Sequence, residues 1–181
     1  MTEPSIKGSI FKGVIDDLVR LQREGRISQE EVDARLATED LALLECEITA
    51  SAWYPIESYG RLIDLLGEIE GGGKDAYFVE RGRSSARRLM ESGLYQQLSF
   101  LSRWDNTLGS AGSDLSAEIA GYARNLRMVT SLASAIYNVG KWLVEPDPEH
   151  AGRVCIAVRE ARAYTDPMRL AIEGFLNECA R

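Results

Sequence analysis

One histidine limits the chemistry this chain can do. His150 stands between Glu149 and Ala151 in PDPEHAG, a stretch whose prolines and glycine mark a turn. A serine or cysteine nucleophile needs a base held by a third group, and a transition-metal centre needs several converging ligands. A single turn histidine argues against both. Cys46, Cys155 and Cys179 are odd in number, far apart and free of CxxC spacing, so no disulfide framework or zinc knuckle is expected and the thiols should be buried. Adjacent acids such as Asp16 with Asp17, Glu30 with Glu31 and the nearby Glu45 with Glu47 read as solvated helix faces rather than as an acid and base pair. The run GGGKD lacks the GxxxxGK[ST] spacing of a phosphate loop, places Asp75 where a magnesium-binding hydroxyl belongs, and follows a helix instead of a strand. It reads as a helix cap.

Two groups of residues remain as candidates for binding. Arg81, Arg83, Arg87 and Arg88 cluster in an otherwise acidic chain. Arg83 and Arg87 are four apart, and Arg88 lies one heptad from Arg81, so an outward-facing set would offer a positive patch to an anion or an acidic partner. The competing reading is pairing with Glu80 and Glu91 along the same helix. The second group is aromatic. Trp53, Tyr54, Tyr59, Tyr77 and Trp104 can line a ligand pocket or anchor an interface, and core packing competes for all of them.

Composition narrows the classes of function. The 181 residues are 45% hydrophobic and 27% charged, enough apolar side chain to close the core of one domain. A formal net charge of −7 and a pI near 4.9 weigh against a nucleic-acid surface, which draws affinity from clustered Lys and Arg. No apolar run reaches the roughly 20 residues that span a bilayer, and MTEPSIKGS has neither the basic flank nor the apolar stretch of a secretory signal. A cytoplasmic protein with no membrane partner is expected.

The elements that must position these residues are read from periodicity. Ile10, Phe11, Val14, Ile15, Leu18 and Leu21 form one helical stripe ending near Gly25. Ser28 with Glu31 makes a capping box for a short second helix, and Thr38 is a candidate cap for a third. Pro55 suits the first turn of a helix carrying Ile56, Tyr59, Ile63 and Leu66, with Trp53 and Tyr54 just ahead of it; Gly71, Gly72 and Gly73 end that helix. From Asp75 to Met90 a further helix would turn Phe78, Val79, Ala86 and Leu89 inward and Glu80 and the four arginines outward. Leu94 to Trp104 reads as helical, TLGSAGSD as a loop, and Asp114 as the cap of a long helix ending near Thr130. SAIYNVGKWLVE and RVCIAVREARAY then read as an antiparallel hairpin over about 132–164, closed by a helix on Met168, Ala171, Ile172, Phe175 and Leu176. The fold class is therefore α+β, one domain over 1–181. A mostly helical part spans about 9–130, and a hairpin with its covering helix spans about 132–181.

KGSIF, SAWYPIESYGRLIDLL, FVERGRSSARRLM and AIEGFLNE occur in an order that resembles an uncharacterised family expanded in myxobacteria. More distantly, the layout is similar to the heme-nitric-oxide-binding (H-NOX) and 4-vinyl-reductase-like sensor domains. That resemblance implies a ligand-sensing or adaptor module. The heme sensors hold iron through a helix histidine and the porphyrin carboxylates through a Tyr-x-Ser-x-Arg motif. Here His150 is the only histidine and that motif does not occur, so histidine-ligated heme is not expected.

The expectation is a non-enzymatic sensor or adaptor without cofactor or metal, binding a partner protein or small ligand and compatible with a homodimer. Its candidate surfaces are Trp53, Tyr54 and Tyr59, the arginine helix with Arg81, Arg83, Arg87 and Arg88, and Trp104. The alternative is a small-molecule sensor or enzyme with a pocket between sheet and helices. An enclosed pocket lined by Trp, Tyr and Arg would favour the alternative; a filled core with an exposed apolar patch would favour the adaptor.

Overall fold

The computed structural model describes residues 3–92, 115–150 and 153–179, with side chains from residue 126 onward in the helix that begins at Leu115. In chain order the elements are β1 (Ser5–Lys7), α1 (Gly8–Arg23), α2 (Gln29–Arg35), α3 (Thr38–Glu45), β2 (Trp53–Pro55), α4 (Ile56–Gly71) and α5 (Asp75–Glu91). They continue with α6 (Leu115–Ile136), β3 (Tyr137–Asn138), β4 (Lys141–Pro146), β5 (Val154–Arg159) and α7 (Asp166–Cys179). The architecture is α+β, with two small antiparallel sheets and the C-terminal helix packed against the strands. Trp104, the helix expected over 94–104, the TLGSAGSD loop and the Asp114 cap lie outside the described residues.

Periodicity gave α1 correctly: Phe11, Val14, Leu18 and Leu21 are each at most 1% exposed. Its start depends on tertiary structure, because Gly8 and Ser9 donate their N–H groups to the carbonyls of Ala52 and Ala50 in place of a side-chain cap. The capping box of α2 forms as expected, with Ser28 N–H on Glu31 Oε2 at 2.8 Å and Glu31 N–H on Ser28 Oγ at 3.2 Å. Thr38 does not cap α3. It is the first helical residue, and Asp40 reaches back to accept from Ala37 N–H at 3.1 Å. α4 stops where Gly72 enters the left-handed region at φ 57°, so GGGKD is the end of a helix.

Two strands were not foreseen. β1 is the middle strand of a β2-β1-β3 sheet, with Ile6 opposite Tyr54 on one side and Tyr137 on the other. Ile6 is fully buried there. This sheet ties the start, middle and last third of the chain together, and strands of two or three residues are too short to show a period of two.

The hairpin begins later than expected. α6 continues to Ile136 because Val129, Leu132, Ala133 and Ile136 keep helical spacing and are all buried. Thr130 and Ser134 satisfy their hydroxyls within the helix, on the carbonyls of Arg127 and Ser131. SAIYNVGKWLVE therefore splits into a helix end, the β3 bridge, a turn at Gly140 and then β4. β4 and β5 pair antiparallel from Lys141 with Arg159 to Pro146 with Val154. The expected contrast between a core face and a freer face of β5 is muted, since Val154 to Val158 are all half-buried.

α7 closes the core with Met168, Ala171, Ile172 and Phe175, and Phe175 meets Tyr137 edge-on with ring centroids 6.0 Å apart. Its closest partner is α5. Gly82 faces the Ala171 carbonyl and Gly174 faces the Val79 carbonyl so tightly that a Cβ at either position would overlap backbone atoms. Reciprocal glycines are what let the two helix backbones touch.

Candidate functional site

The arginines of α5 do not form one patch. Arg81 was expected to point outward, yet it is 8% exposed and paired with Asp17 of α1 at 2.8 Å. The same guanidinium donates to Tyr77 Oη at 3.3 Å and to the Gly13 carbonyl at 3.4 Å. Tyr77 donates to Glu70 at 2.9 Å, and Glu70 also takes a 2.6 Å bond from Arg20. A charge this deep needs several partners, and here they come from α1 and α5, with Glu70 of α4 joined to them through Tyr77 and Arg20. Burial pushes the Tyr77 phenol up to about 12, with Arg81 opposing and Glu70 reinforcing the shift.

The other arginines divide. Arg83 and Arg87 both reach Glu80, and Arg87 also lies 3.4 Å from Glu178 of α7. Arg88 makes no ion pair among the described residues and borders two neighbouring grooves beside α1. The larger groove, about 480 Å³, is lined by Arg81, Arg87 and Arg88 but also by Asp17, Glu70, Glu80 and Glu91. Three positive charges against four negative ones do not attract anions.

The aromatic corner is mostly core. Tyr59 is 4% exposed, and Tyr54 is half-buried, stacked on Phe11 at 5.0 Å with its hydroxyl accepting from Thr49 N–H at 2.8 Å. Only Trp53 faces solvent, 44% exposed on β2, with the Lys7 ammonium 4.1 Å from its ring centroid. Lys7 also donates to the Ser51 carbonyl at 2.7 Å, so the cation over the ring is fixed in place.

A groove lies between the β4/β5 ribbon and α7, the place where the alternative reading put a pocket, but none of the described candidate residues lines it. Trp142, Val154, Ile156 and Val158 supply one wall, Ile172 and Leu176 the other, and Leu126 of α6 borders it, around about 330 Å³. Tyr164, Arg169, Glu173 and Asn177 form its polar rim. Burial raises the Tyr164 phenol to about 12, so it is a neutral donor at the groove. Arg169 bonds Asp166 at 3.2 Å and Glu173 at 3.4 Å, so the one cation of the rim is met by carboxylates of its own helix. The even-numbered residues of β5 and the i, i+4 pair Ile172 and Leu176 carried the signal, but their meeting depends on a loop between them. That loop turns through Glu160 and Ala163, both at positive φ.

The remaining reactive groups stand apart. His150 is half exposed at the ribbon tip, its Nδ1 3.3 Å from Asp147. Of the thiols expected to be buried, only Cys179 is; Cys155 is half-buried and Cys46 is exposed, because the α3 end that carries Cys46 lies on the surface. Among the described residues no three His, Cys, Asp or Glu side chains gather as a metal site, and no helix is long and apolar enough to cross a membrane. No protein family, curated protein or solved structure matches the chain.

Proposed function

We propose that this protein is a non-enzymatic, cytoplasmic adaptor or sensor module that holds an apolar segment of a partner protein in the groove between the β4/β5 ribbon and α7. The observation that supports the reading most is the make-up of that groove. Its walls are aliphatic and aromatic, its rim is polar and charge-balanced, and it opens to the surface beside a closely filled core. Sites that bind by burial combine these features, with a few polar groups fixing orientation. In this reading the relationship to H-NOX-like and 4-vinyl-reductase-like sensors lies in the scaffold. Histidine-ligated iron has no place in it, since His150 is at the ribbon tip, away from the groove.

The groove's volume also sits at the lower end of the roughly 300–1,000 Å³ typical of small-molecule sites, which favours a small apolar ligand as the second reading. One experiment separates the two. A displayed random-peptide library is panned against the full chain and against Ile156→Glu, and the natively purified protein is weighed by native mass spectrometry. Peptides with spaced apolar anchors that bind at about micromolar Kd, and bind Ile156→Glu at least about tenfold more weakly, support the partner-segment reading. A retained metabolite lost from Ile156→Glu supports the second. Selected peptides indifferent to Ile156→Glu would remove the groove from both.

A further inference from the structure

The outer edge of β5 has the chemistry of a pairing surface. In an antiparallel pair, alternate residues direct their N–H and C=O groups at the partner strand and the others direct theirs away. β5 has β4 on one side only, and the backbone of 154–159 makes no hydrogen bond outside that pair among the described residues. The two edges of the ribbon differ in kind. β4, KWLVEP, carries Lys141, Glu145 and the donorless Pro146, and lies against α6. β5, VCIAVR, has no proline or glycine and no charge before Arg159. Lysine, inward charge and proline are how natural edge strands refuse partners, and β5 lacks them along five of its six residues.

We propose that β5 pairs antiparallel with β5 of a second copy of this chain, about a two-fold axis through Ala157, to form a four-stranded sheet ordered β4-β5-β5-β4. A two-fold normal to the sheet keeps each side chain on its own face. With the axis at Ala157, Ile156 of each copy faces Val158 of the other, and Arg159 faces Cys155. Shifting the axis to Ile156 would set Arg153 against Arg159, and like charges directly opposite oppose pairing. At the Ala157 register Arg159 keeps its own counterion, Glu145, at 2.7 Å. Apolar rows then run unbroken through all four strands. Leu143 and Ala157 of each copy form a row on one face, where Leu143 is 41% exposed. On the other face Val144, Ile156, Val158 and Trp142 are aligned, the first two from one copy and the last two from its partner. The occupant is another copy of the chain because the edge is complementary to itself.

A six-residue strand pair buries less than the roughly 1,600 Å² of a standard interface, so the dimer should be of moderate strength, with Kd of about 1–100 μM. Analytical ultracentrifugation of the full chain should show a concentration-dependent shift from 20.1 kDa toward twice that mass. Ala157→Lys and Ala157→Asp each place like charges on the axis and should weaken the dimer at least tenfold, with unchanged circular dichroism. Mixed together, the two variants should restore it, as only a residue that meets its own symmetry mate can do. A wild-type chain that stays monomeric at about 500 μM, far above that Kd range, overturns the proposal. So does a dimer that survives both variants. Should the variants misfold, hydrogen exchange on the wild type decides: alternate β5 amides must gain protection as concentration rises, and constant protection overturns the pairing.

Discussion

The helical body and the β4/β5 ribbon treat their polar and apolar groups in opposite ways. In the body, Arg81 is sealed among Asp17, Tyr77 and the Gly13 carbonyl, and Asp40, fully buried, accepts from Nε and Nη2 of Arg61 at 2.6 and 2.8 Å. In the ribbon, residues that would suit a core stay half-buried or, at Leu143, exposed, and the outer backbone edge of β5 has no partner among the described residues. Closed regions spend their interactions on the fold, whereas an open one keeps them for something else. The contrast supports the proposal that binding lies at the ribbon end, since Arg81, Arg83 and Arg87 of the arginine helix are already engaged in ion pairs.

The strongest way to break that contrast is to strike the closest contact in the body. Gly82→Ala puts a methyl group against the Ala171 backbone, which cannot turn aside as a flexible side chain can. A loss of about 3 kcal/mol or more in urea unfolding is expected, against less than about 1 kcal/mol for Ala157→Lys on the ribbon. Gly174→Ala should match Gly82→Ala, because its methyl meets Val79 backbone in the same crossing. Equal, small losses at Gly82 and Ala157 would show the two regions to be packed alike.

Next in size is the buried charge. Arg81→Met takes the nearer cation from Asp17, whose side chain is 18% exposed, and leaves it only Arg20 at 3.7 Å, so it should cost about 2–3 kcal/mol. Adding Asp17→Leu should recover most of that loss, since removing both charges also removes their desolvation penalty. A double-mutant cycle by urea denaturation checks this. Additive losses would mean the pair is not coupled and Arg81 is held by packing alone.

These contrasts mark what was legible in the chain. α1, α2 and α4 could be read directly, because an apolar stripe or a capping box is local in sequence. α6 overran its expected end because Tyr137 and the β-branched residues near it suit a strand, while burial of Leu132 and Ile136 against distant elements kept the helix going. Arg81 had a usable signal. It stands three residues after Phe78, at the margin of the stripe continued by Ala86 and Leu89, but its counterion is 64 positions away. For the groove no local signal could suffice, since its walls come from strands and a helix whose spacing a loop sets.

The finest test of the comparison is pH, through Asp40. Burial alone would raise its carboxyl, but hydrogen bonds from Arg61, Ser58 and the Ala37 N–H outweigh burial and hold it below the ordinary aspartate value. A lowered folded-state pKa contributes stability that is fully present above the unfolded value of about 3.9 and is lost as pH falls through the folded one. Asp40→Asn removes that contribution. Because Arg61 is itself partly exposed, a loss of about 1–2 kcal/mol at neutral pH is expected. The gap between wild type and Asp40→Asn in urea midpoint should hold from pH 7 to about 5, then narrow below about pH 4 as the wild-type carboxylate takes up its proton. A gap that stays constant into acid would mean that Asp40 acts through shape and neutral hydrogen bonds, and the body would then owe its closure to packing without help from buried charge.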